Sequence, residues 1–240
     1  LDNLDEDIAA NRPRLQTTID AARLAPVLLG ADGQRRYMVV FTSPAEARGT
    51  AGFFGNWAGL VVDDGQLAVD AFGRTGELNQ TLGADGADCT GCSEEFLTYY
   101  GNYGFTIGPG GTARSPAWSN ITSPTHFPYA AEAMASLYPN SGGTAIDGVI
   151  AMDPYVLAEL MRYTGPIEVP ELATLVEAED AVEFLLVDQY SIAQETDVRV
   201  EALETLGLAA ITRILSADLP DPPELAQTFG PLVEERRLLM

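Results

Sequence analysis

The sequence predicts an α/β protein, a three-layer sandwich in which a central mixed β-sheet is flanked by helices. Short apolar runs that suit buried strands alternate with segments of helical periodicity, which is the pattern of layered α/β folds. One pair of strands is separated by an Asp-Gly turn typical of hairpins. The chain has 240 residues, of which 46% are hydrophobic and 20% charged, so it can fill one ordinary core.

The first half of the chain is predicted to supply most of the sheet. Its elements in order are an amphipathic helix over residues 8–24, a buried strand over 37–41, a hairpin of 57–62 and 66–72 around the turn Asp63–Gly65, and a helix over 93–100. Residues 101–128 are rich in Gly, Asn, Ser, Thr and Pro and are predicted to form a long loop, a feature that is often functional.

The second half is predicted to be mainly helical. Its elements are helices over 129–138 and 155–163, strands over 146–152 and 167–169, helices over 178–190 and 198–215, and a terminal helix after a proline-rich break at 218–223. Asp153 and Pro154 suit the N-cap and the first position of the helix over 155–163. We divide the chain into a helical lead-in (1–27), an α/β core domain (28–217) and a C-terminal helical extension (218–240).

The charged residues exclude several kinds of chemistry. The chain carries 13 basic and 35 acidic residues, for a net charge of −22, and every basic residue is arginine. Without lysine there is no Schiff base, phosphate-loop lysine or serine-lysine hydrolysis. His126 is the only histidine, which excludes multi-histidine metal sites. The strongly acidic character also argues against a nucleic-acid partner.

The chain ends and the two cysteines bear on the compartment of the protein. The chain begins with Leu1 rather than methionine and ends in the amphipathic stretch Glu234–Met240, so we expect it to be an excised segment. No run reaches the roughly 20 apolar residues of a membrane span, so we expect any membrane anchor to lie upstream. Cys89 and Cys92 form a lone Cys-Thr-Gly-Cys pair. Zinc needs about four ligands, and nearby acidic residues oppose a reactive thiolate. A local disulfide in an oxidising compartment is the simplest of these three alternatives.

The most suggestive stretch for binding is the glycine-rich segment from Glu46 to Asn56. Its glycines allow close backbone approach to a ligand, and Arg48 offers a fork for phosphate or carboxylate. The alternative is a crossing where two backbones pack closely, with Arg48 paired to Glu46 or another acid. No strand-to-helix context supports a dinucleotide fingerprint.

A second group of candidates lies in the predicted long loop and beside the strand over 146–152. Arg114, Trp118 and Asn120 suit a carbohydrate or phosphate site, but such residues also attach long loops to the core. Asp147 and Asp153 flank the strand and have the chemistry of cation ligands. Their alternative roles are a turn residue and a helix cap.

Several motifs resemble those of the family known as domain of unknown function 4012. In chain order they are Arg36–Val40, Ala45–Phe53, Trp118–Asn120, Ser123–Pro124, Phe127–Pro128, Ile146–Pro154 and Thr164–Pro166. The family occurs in envelope-associated proteins of actinobacteria and other bacteria, usually behind an N-terminal membrane helix. The resemblance therefore implies an extracytoplasmic, membrane-anchored protein of the cell envelope.

A more distant resemblance to the LytR-CpsA-Psr enzymes implies a specific chemistry. These enzymes transfer glycopolymers from a polyprenyl-pyrophosphate carrier, using arginines for the pyrophosphate, acidic residues for Mg²⁺ and an apolar pocket for the lipid. By position, Arg48 and Arg74 would hold the phosphate, with Glu46 or Asp153 serving metal or proton transfer. Asn56 stands where the metal-binding aspartate is expected, and Leu186–Gln189 lacks the expected arginine pair.

These resemblances give two expectations about function. The first is a domain that binds a polyprenyl-phosphate-linked or other envelope glycan and transfers it, with Arg48, Arg74 and Arg114 meeting at the mouth of an apolar tunnel. Trp118, Asn120 and Asn56 would add contacts to the ligand. The second is a non-catalytic binding or scaffolding module of an envelope assembly, for which scattered arginines paired to acids are expected.

Overall fold

The structure, a computed structural model, describes residues 19, 22–82, 86–105 and 112–240. Its main sheet has five strands, in the spatial order β3-β2-β1-β6-β9. Their bounds are β1 Arg35–Ser43, β2 Phe53–Asp63, β3 Gln66–Arg74, β6 Gly148–Met152 and β9 Leu238–Leu239. Two small ladders complete the strands, one of β4 (Ala87–Asp88) with β5 (Thr112–Ala113), the other of β7 (Ile167–Val169) with β8 (Thr174–Val176).

The helices lie on both faces of the sheet. They are α1 (22–28), α2 Thr75–Thr81, α3 Glu94–Tyr100, α4 Ala117–Asn120, α5 Phe127–Asn140, α6 Pro154–Thr164, α7 Ala181–Glu183, α8 Gln189–Ile192, α9 Thr196–Ile214 and α10 Pro222–Glu234. A π-helical turn over Phe184–Asp188 joins α7 to α8. Within the described residues, no helix is long and apolar enough to cross a membrane.

Strand β1 is the central strand of the sheet. It pairs antiparallel with β2 on one side and parallel with β6 on the other. The remaining pairs, β2 with β3 and β6 with β9, are antiparallel. The mixed sheet predicted from the sequence is therefore confirmed, and the predicted C-terminal extension contributes the short edge strand β9.

Alternating side chains of β1 fill two separate cores, as expected for a strand covered on both faces. Met38 and Val40 pack on one face with residues of α2 to α5, including the fully buried Trp118. Tyr37 and Val39 face the other way, toward residues of α6, α9 and α10. A third cluster lies among α6, α9 and the β7–β8 ladder. The three-layer sandwich is thus confirmed.

Local signals in the sequence account for most element boundaries. The turn after β2 places Asp64 and Gly65 at positive φ (46° and 78°), as a hairpin of the Asp-Gly type requires. The Asp153 carboxylate accepts hydrogen bonds from the N–H groups of Tyr155 and Val156, which confirms it as the N-cap of α6. The predicted helix over 8–24 lies mostly outside the described residues. The predicted loop over 101–128 contains α4, β5 and the start of α5.

Two glycines of the glycine-rich segment are explained by close backbone packing. A Cβ atom on Gly49 would overlap the backbone of Ser123 and Pro124, and one on Gly52 would overlap that of Ser43 and Pro44. Gly52 also has a φ of +97°, which side-chain-bearing residues rarely adopt. The geometry of these two glycines matches the alternative of a tight backbone crossing.

We expect Gly52→Ala to lower the free energy of unfolding by about 3 kcal/mol, from left-handed backbone strain added to overlap with Ser43. Gly55→Ala is the matched control, because a Cβ there meets no atom within 4 Å, and it should change stability by less than about 0.5 kcal/mol. Urea denaturation measures both. Equal losses in the two variants would contradict the close-packing explanation.

Candidate functional site

A cavity of about 410 Å³ opens at one end of the main sheet. Its walls come from the carboxyl ends of β1, β3 and β6, the start of β2, the π-helical turn, and helices α6 and α9. Most of the lining is apolar and includes Phe41, Phe53, Met152, Leu157, Leu185, Leu203 and Leu206. A concave, mainly apolar site with few polar groups is typical of small-molecule binding.

The strand pairing explains why these residues meet. Because β1 and β6 are parallel, their carboxyl ends lie side by side, with Phe41 opposite Met152. Phe41 also lies opposite Asn56 on β2, and Asn56 in turn lies opposite Arg74 on β3. A register shift between Phe41 and Thr42 marks the point where β1 reaches the cavity. Bulges of this kind are common beside binding sites.

Two arginines line the cavity, and their surroundings differ. Arg74 is half-buried and forms an ion pair with Glu204 of α9. Arg199 also lies on α9; its guanidinium stacks 5.1 Å from the centroid of the Tyr190 ring and donates to the carbonyl of Ala193. Among the described residues, no acid forms an ion pair with Arg199. Its positive charge is therefore available to a bound anion.

Arg48 adjoins the cavity without lining it. Its guanidinium lies 5.5 Å from the centroid of the Phe53 ring, which is part of the wall, and donates to the carbonyl of Ala47. The pairing of Arg48 with Glu46 considered from the sequence is not formed, and no other described acid replaces it. Glu46 is exposed and lines the mouth.

Asp153 also lines the cavity, but its carboxylate is fully engaged. Oδ1 accepts from the N–H groups of Tyr155 and Val156, and Oδ2 lies 2.9 Å from Nη1 of Arg237. The Arg237 guanidinium also stacks 3.6 Å from the centroid of the Tyr155 ring. Burial raises the pKa of Asp153 above its usual value, although Arg237 and the two N–H groups oppose that rise.

The residues predicted in the long loop lie elsewhere. Trp118 is fully buried, donates its indole N–H to Ser141 and packs edge-on against Phe54 in the core of the opposite layer. The Asn120 amide donates to the carbonyls of Tyr103 and Pro116. Arg114 is exposed and is not part of the cavity wall. Of the predicted site residues, the cavity thus brings together Glu46, Asn56, Arg74 and Asp153, with Arg48 beside them.

The remaining candidates have structural contacts. The Asp147 carboxylate pairs with the Arg35 side chain and accepts from the Arg36 N–H. The sulfur atoms of Cys89 and Cys92 are at bonding distance, as expected for a local disulfide, and both residues are buried. Within the described ranges, no three His, Cys, Asp or Glu side chains cluster in a way that could hold a metal ion.

Mg²⁺, which the LytR-CpsA-Psr resemblance implies, does not fit the residues at the cavity. Asn56 replaces the expected aspartate, and its amide nitrogen is buried without a partner. Asp153 is already neutralised by Arg237. A hard divalent cation needs several free oxygen ligands, and the described residues of the cavity do not supply such a set.

Two residues of the cavity were not predicted as site residues. Arg199 occurs in the stretch Asp197–Arg199, which contributes to the distant resemblance but carries no motif that assigns it a role. Gln189 is placed by the π-helical turn, and nothing in the residue pattern predicts that turn. Its side chain is 3% exposed and lines the cavity.

The Asp153–Arg237 pair gives a pH-dependent prediction. A carboxyl whose pKa is raised by folding binds its proton more readily in the folded chain, so its contribution to stability is lost as the pH rises from the ordinary value of 3.8 through the raised value. Arg237→Gln removes the opposing charge and should raise the pKa of Asp153 further. We expect a loss of about 2 kcal/mol near pH 7 that shrinks as the pH is lowered toward about 4.

Urea denaturation across this pH range measures the effect, and Arg236→Gln, the exposed neighbour that forms no ion pair with a described acid, is the control. A deficit in Arg237→Gln that stays constant with pH would contradict the assignment to Asp153.

Comparison with known proteins places the chain in a family. No curated protein and no solved structure matches it. A family model described as "Protein of unknown function (DUF4012)" matches residues 32–190. The match covers β1, β2, β3 and β6 and ends at Tyr190, so Arg199 of α9 lies beyond it. Because this match spans more than half of the sequence, the chain belongs to the DUF4012 family.

Proposed function

We propose that this domain binds an amphipathic envelope ligand, a glycan linked to polyprenyl phosphate or pyrophosphate, in a protein that lies outside the cytoplasm and is anchored to the membrane. The apolar chain would occupy the cavity at the end of the sheet, and the phosphate would lie beside the guanidinium groups at its edge. The observation that carries this proposal is an apolar cavity lined by Arg199, a cation that no acid of the described residues pairs with.

The apolar lining supports a hydrocarbon chain as the main buried part of the ligand. Phe41 and Met152 of the sheet meet Leu157 of α6 and Leu206 of α9 around the cavity. Transfer of apolar surface from water into such a site is favourable by roughly 25 cal/mol per Å². A strongly hydrated ligand would gain little from this surface.

The charges support an anionic group at the edge of the cavity. With a net charge of −22, the molecule as a whole repels anions, so an anion needs local cations. Arg199 offers a guanidinium that forms no ion pair with a described acid. The guanidinium of Arg48 lies against Phe53 of the wall and likewise forms no ion pair with a described acid. Guanidinium groups bind phosphate oxygens through paired, charge-assisted hydrogen bonds.

The contacts of the acidic residues favour binding without turnover. Asp153 is held by Arg237 and by the start of α6, so it has no free oxygen for proton transfer or a metal. Arg74 is paired with Glu204, which reduces the positive charge for a developing anion. The domain therefore suits capture or presentation of a lipid-linked ligand.

A phosphotransferase is the second candidate, and one observation favours it. The exposed carboxylate of Glu46 lines the mouth of the cavity and forms no ion pair with a described cation, so it could accept a proton there. Transfer would be established if a polyprenyl-pyrophosphate-linked glycan releases polyprenyl phosphate and Glu46→Gln abolishes that release. Tight binding without product supports the binding function.

Farnesyl phosphate, a short soluble probe, tests the binding function. We expect Arg199→Gln to weaken its binding by about tenfold or more, because a charge-assisted contact is lost. Arg114→Gln, an exposed arginine away from the cavity, is the matched control and should bind as the wild type does. Isothermal titration calorimetry measures both dissociation constants.

The apolar part of the site is tested in the same titration. Leu203→Trp adds bulk in the cavity wall and should weaken binding by a similar factor, whereas Leu208→Trp, on the exposed side of α9, should not. Unchanged affinity in both Arg199→Gln and Leu203→Trp would contradict the proposed site.

The proposed compartment makes a separate prediction about the cysteines. Disulfides persist in oxidising compartments and are rare in the cytosol. In cells that produce the native protein, alkylation during lysis followed by mass spectrometry should find Cys89 and Cys92 joined to each other. Both thiols fully alkylated without prior reduction would contradict the extracytoplasmic location.

A further inference from the structure

Half of the eight buried side-chain polar atoms that lack a hydrogen-bond partner among the described residues belong to the cavity wall. Four residues of its wall each contribute a buried side-chain nitrogen or oxygen that has no hydrogen-bond partner: Ser43 Oγ, Asn56 Nδ2, Arg74 Nε and Gln189 Oε1. Native proteins leave few such atoms unpaired, because each costs about 1–3 kcal/mol. Because all four residues line the same cavity, a ligand bound there could supply the missing partners.

Gln189 supplies an acceptor from the helical side of the cavity. Its backbone N–H bonds to the carbonyl of Phe184, five residues earlier, which closes the π-helical turn. Its side-chain nitrogen donates to the carbonyl of Leu185, which fixes the orientation of the amide. The unpaired atom is therefore the oxygen, an acceptor only. Single π turns of this kind are frequent at functional sites.

Asn56 and Arg74 supply donors from the sheet side. They lie opposite each other on β2 and β3, and both line the cavity. Asn56 is 8% exposed, and its Nδ2 can only donate; the same holds for Nε of Arg74. Ser43 at the end of β1 adds a hydroxyl that can donate or accept. The residues that line the cavity thus include both donors and an acceptor without partners among the described residues.

A phosphate group alone does not match this set of atoms. A phosphate ester is chiefly an acceptor at neutral pH, so it can pair with Asn56 and Arg74 but leaves the Gln189 oxygen without a donor. A sugar hydroxyl both donates and accepts, and neighbouring hydroxyls on one ring can serve both walls. Recognition of such groups is selective, because a ligand without them leaves the buried atoms unpaired.

From this complementarity we infer that the polar part of the cavity wall binds the sugar or polyol head group of the proposed ligand, in addition to its apolar chain and phosphate, with Gln189 Oε1 as the acceptor for one of the head group's hydroxyls. The inference rests on the proposed function and adds to it the specificity of the buried part of the site. Gln189 is then the residue that distinguishes a glycosylated amphiphile from one with phosphate alone.

Two probes with the same alkyl chain separate the two kinds of head group. They are n-decyl β-glucoside and decyl phosphate, each used below its micelle concentration. We expect Gln189→Leu to weaken binding of the glucoside by about tenfold and that of the phosphate by less than about threefold. Gln194→Leu, an exposed glutamine that is not part of the wall, should change neither.

A second variant keeps the test decisive if Gln189→Leu disturbs the fold. Gln189→Met keeps the length of the side chain without burying a charge and also removes the acceptor, so binding of the glucoside should weaken by about tenfold while that of decyl phosphate stays within about threefold of wild type. Far-ultraviolet circular dichroism checks that the π-helical segment and its neighbours remain folded.

The outcomes separate this inference from the function on which it rests. Equal weakening of both probes by Gln189→Leu, or a wild type that binds decyl phosphate but not the glucoside, would overturn the sugar assignment and leave lipid binding intact. Failure of the wild type to bind either probe would overturn both.

Discussion

The pairing of β1 on both edges is the constraint on which the rest of the molecule depends. Its antiparallel partner β2 begins where β1 ends, and its parallel partner β6 ends there as well. That arrangement gathers one strand start and two strand ends at a single edge of the sheet. Helix α6 follows β6 directly, and α9 packs across β2 and β3, so the same edge receives a helical cover. The cavity follows from this topology.

Because acidic residues outnumber arginines, the contacts of each arginine decide whether its positive charge is available to an anionic ligand. Five of the eleven described arginines form ion pairs with acids. Besides Arg74 and Arg237, Arg35 and Arg36 pair with Asp147 and Asp70, and Arg162 pairs with Glu159 and Glu179. Exposed pairs of this kind add little stability, but they do neutralise the cation. Arg199 and Arg48 make ring and carbonyl contacts instead. Of the six described arginines that form no ion pair with a described acid, Arg199 lines the cavity and Arg48 lies beside it.

Local sequence signals predicted much of the fold because the forces that set it are local. The apolar run of β1, the Asp-Gly hairpin turn and the Asp153–Pro154 helix start each depend on a few neighbouring residues. The site was predicted less completely, because it depends on contacts between residues far apart in the chain. Trp118 shows the limit: its residue type suits a sugar site, yet packing against Phe54 places it in the core.

The dependence of the site on contacts between distant residues also explains why Arg199 and Gln189 were not predicted as site residues. The π turn that positions Gln189 inserts one residue into a helical period, and it begins at Phe184, which is buried in the cluster among α6, α9 and the β7–β8 ladder. Arg199 reaches the cavity only because α9 crosses β2 and β3. An arginine on a helix has no pattern that separates an exposed position from a binding one.

The engagement of Asp153 by Arg237 distinguishes a binding domain from a transferase on the same scaffold. A carboxylate at the carboxyl end of a parallel strand is in a position where α/β proteins often place functional groups. Here strand β9 brings Arg237 against it, so the negative charge is cancelled from within the chain. With that carboxylate occupied, the cavity retains apolar surface, hydrogen-bonding atoms and guanidinium groups. These are the components of recognition, and they favour a role in holding a lipid-linked ligand.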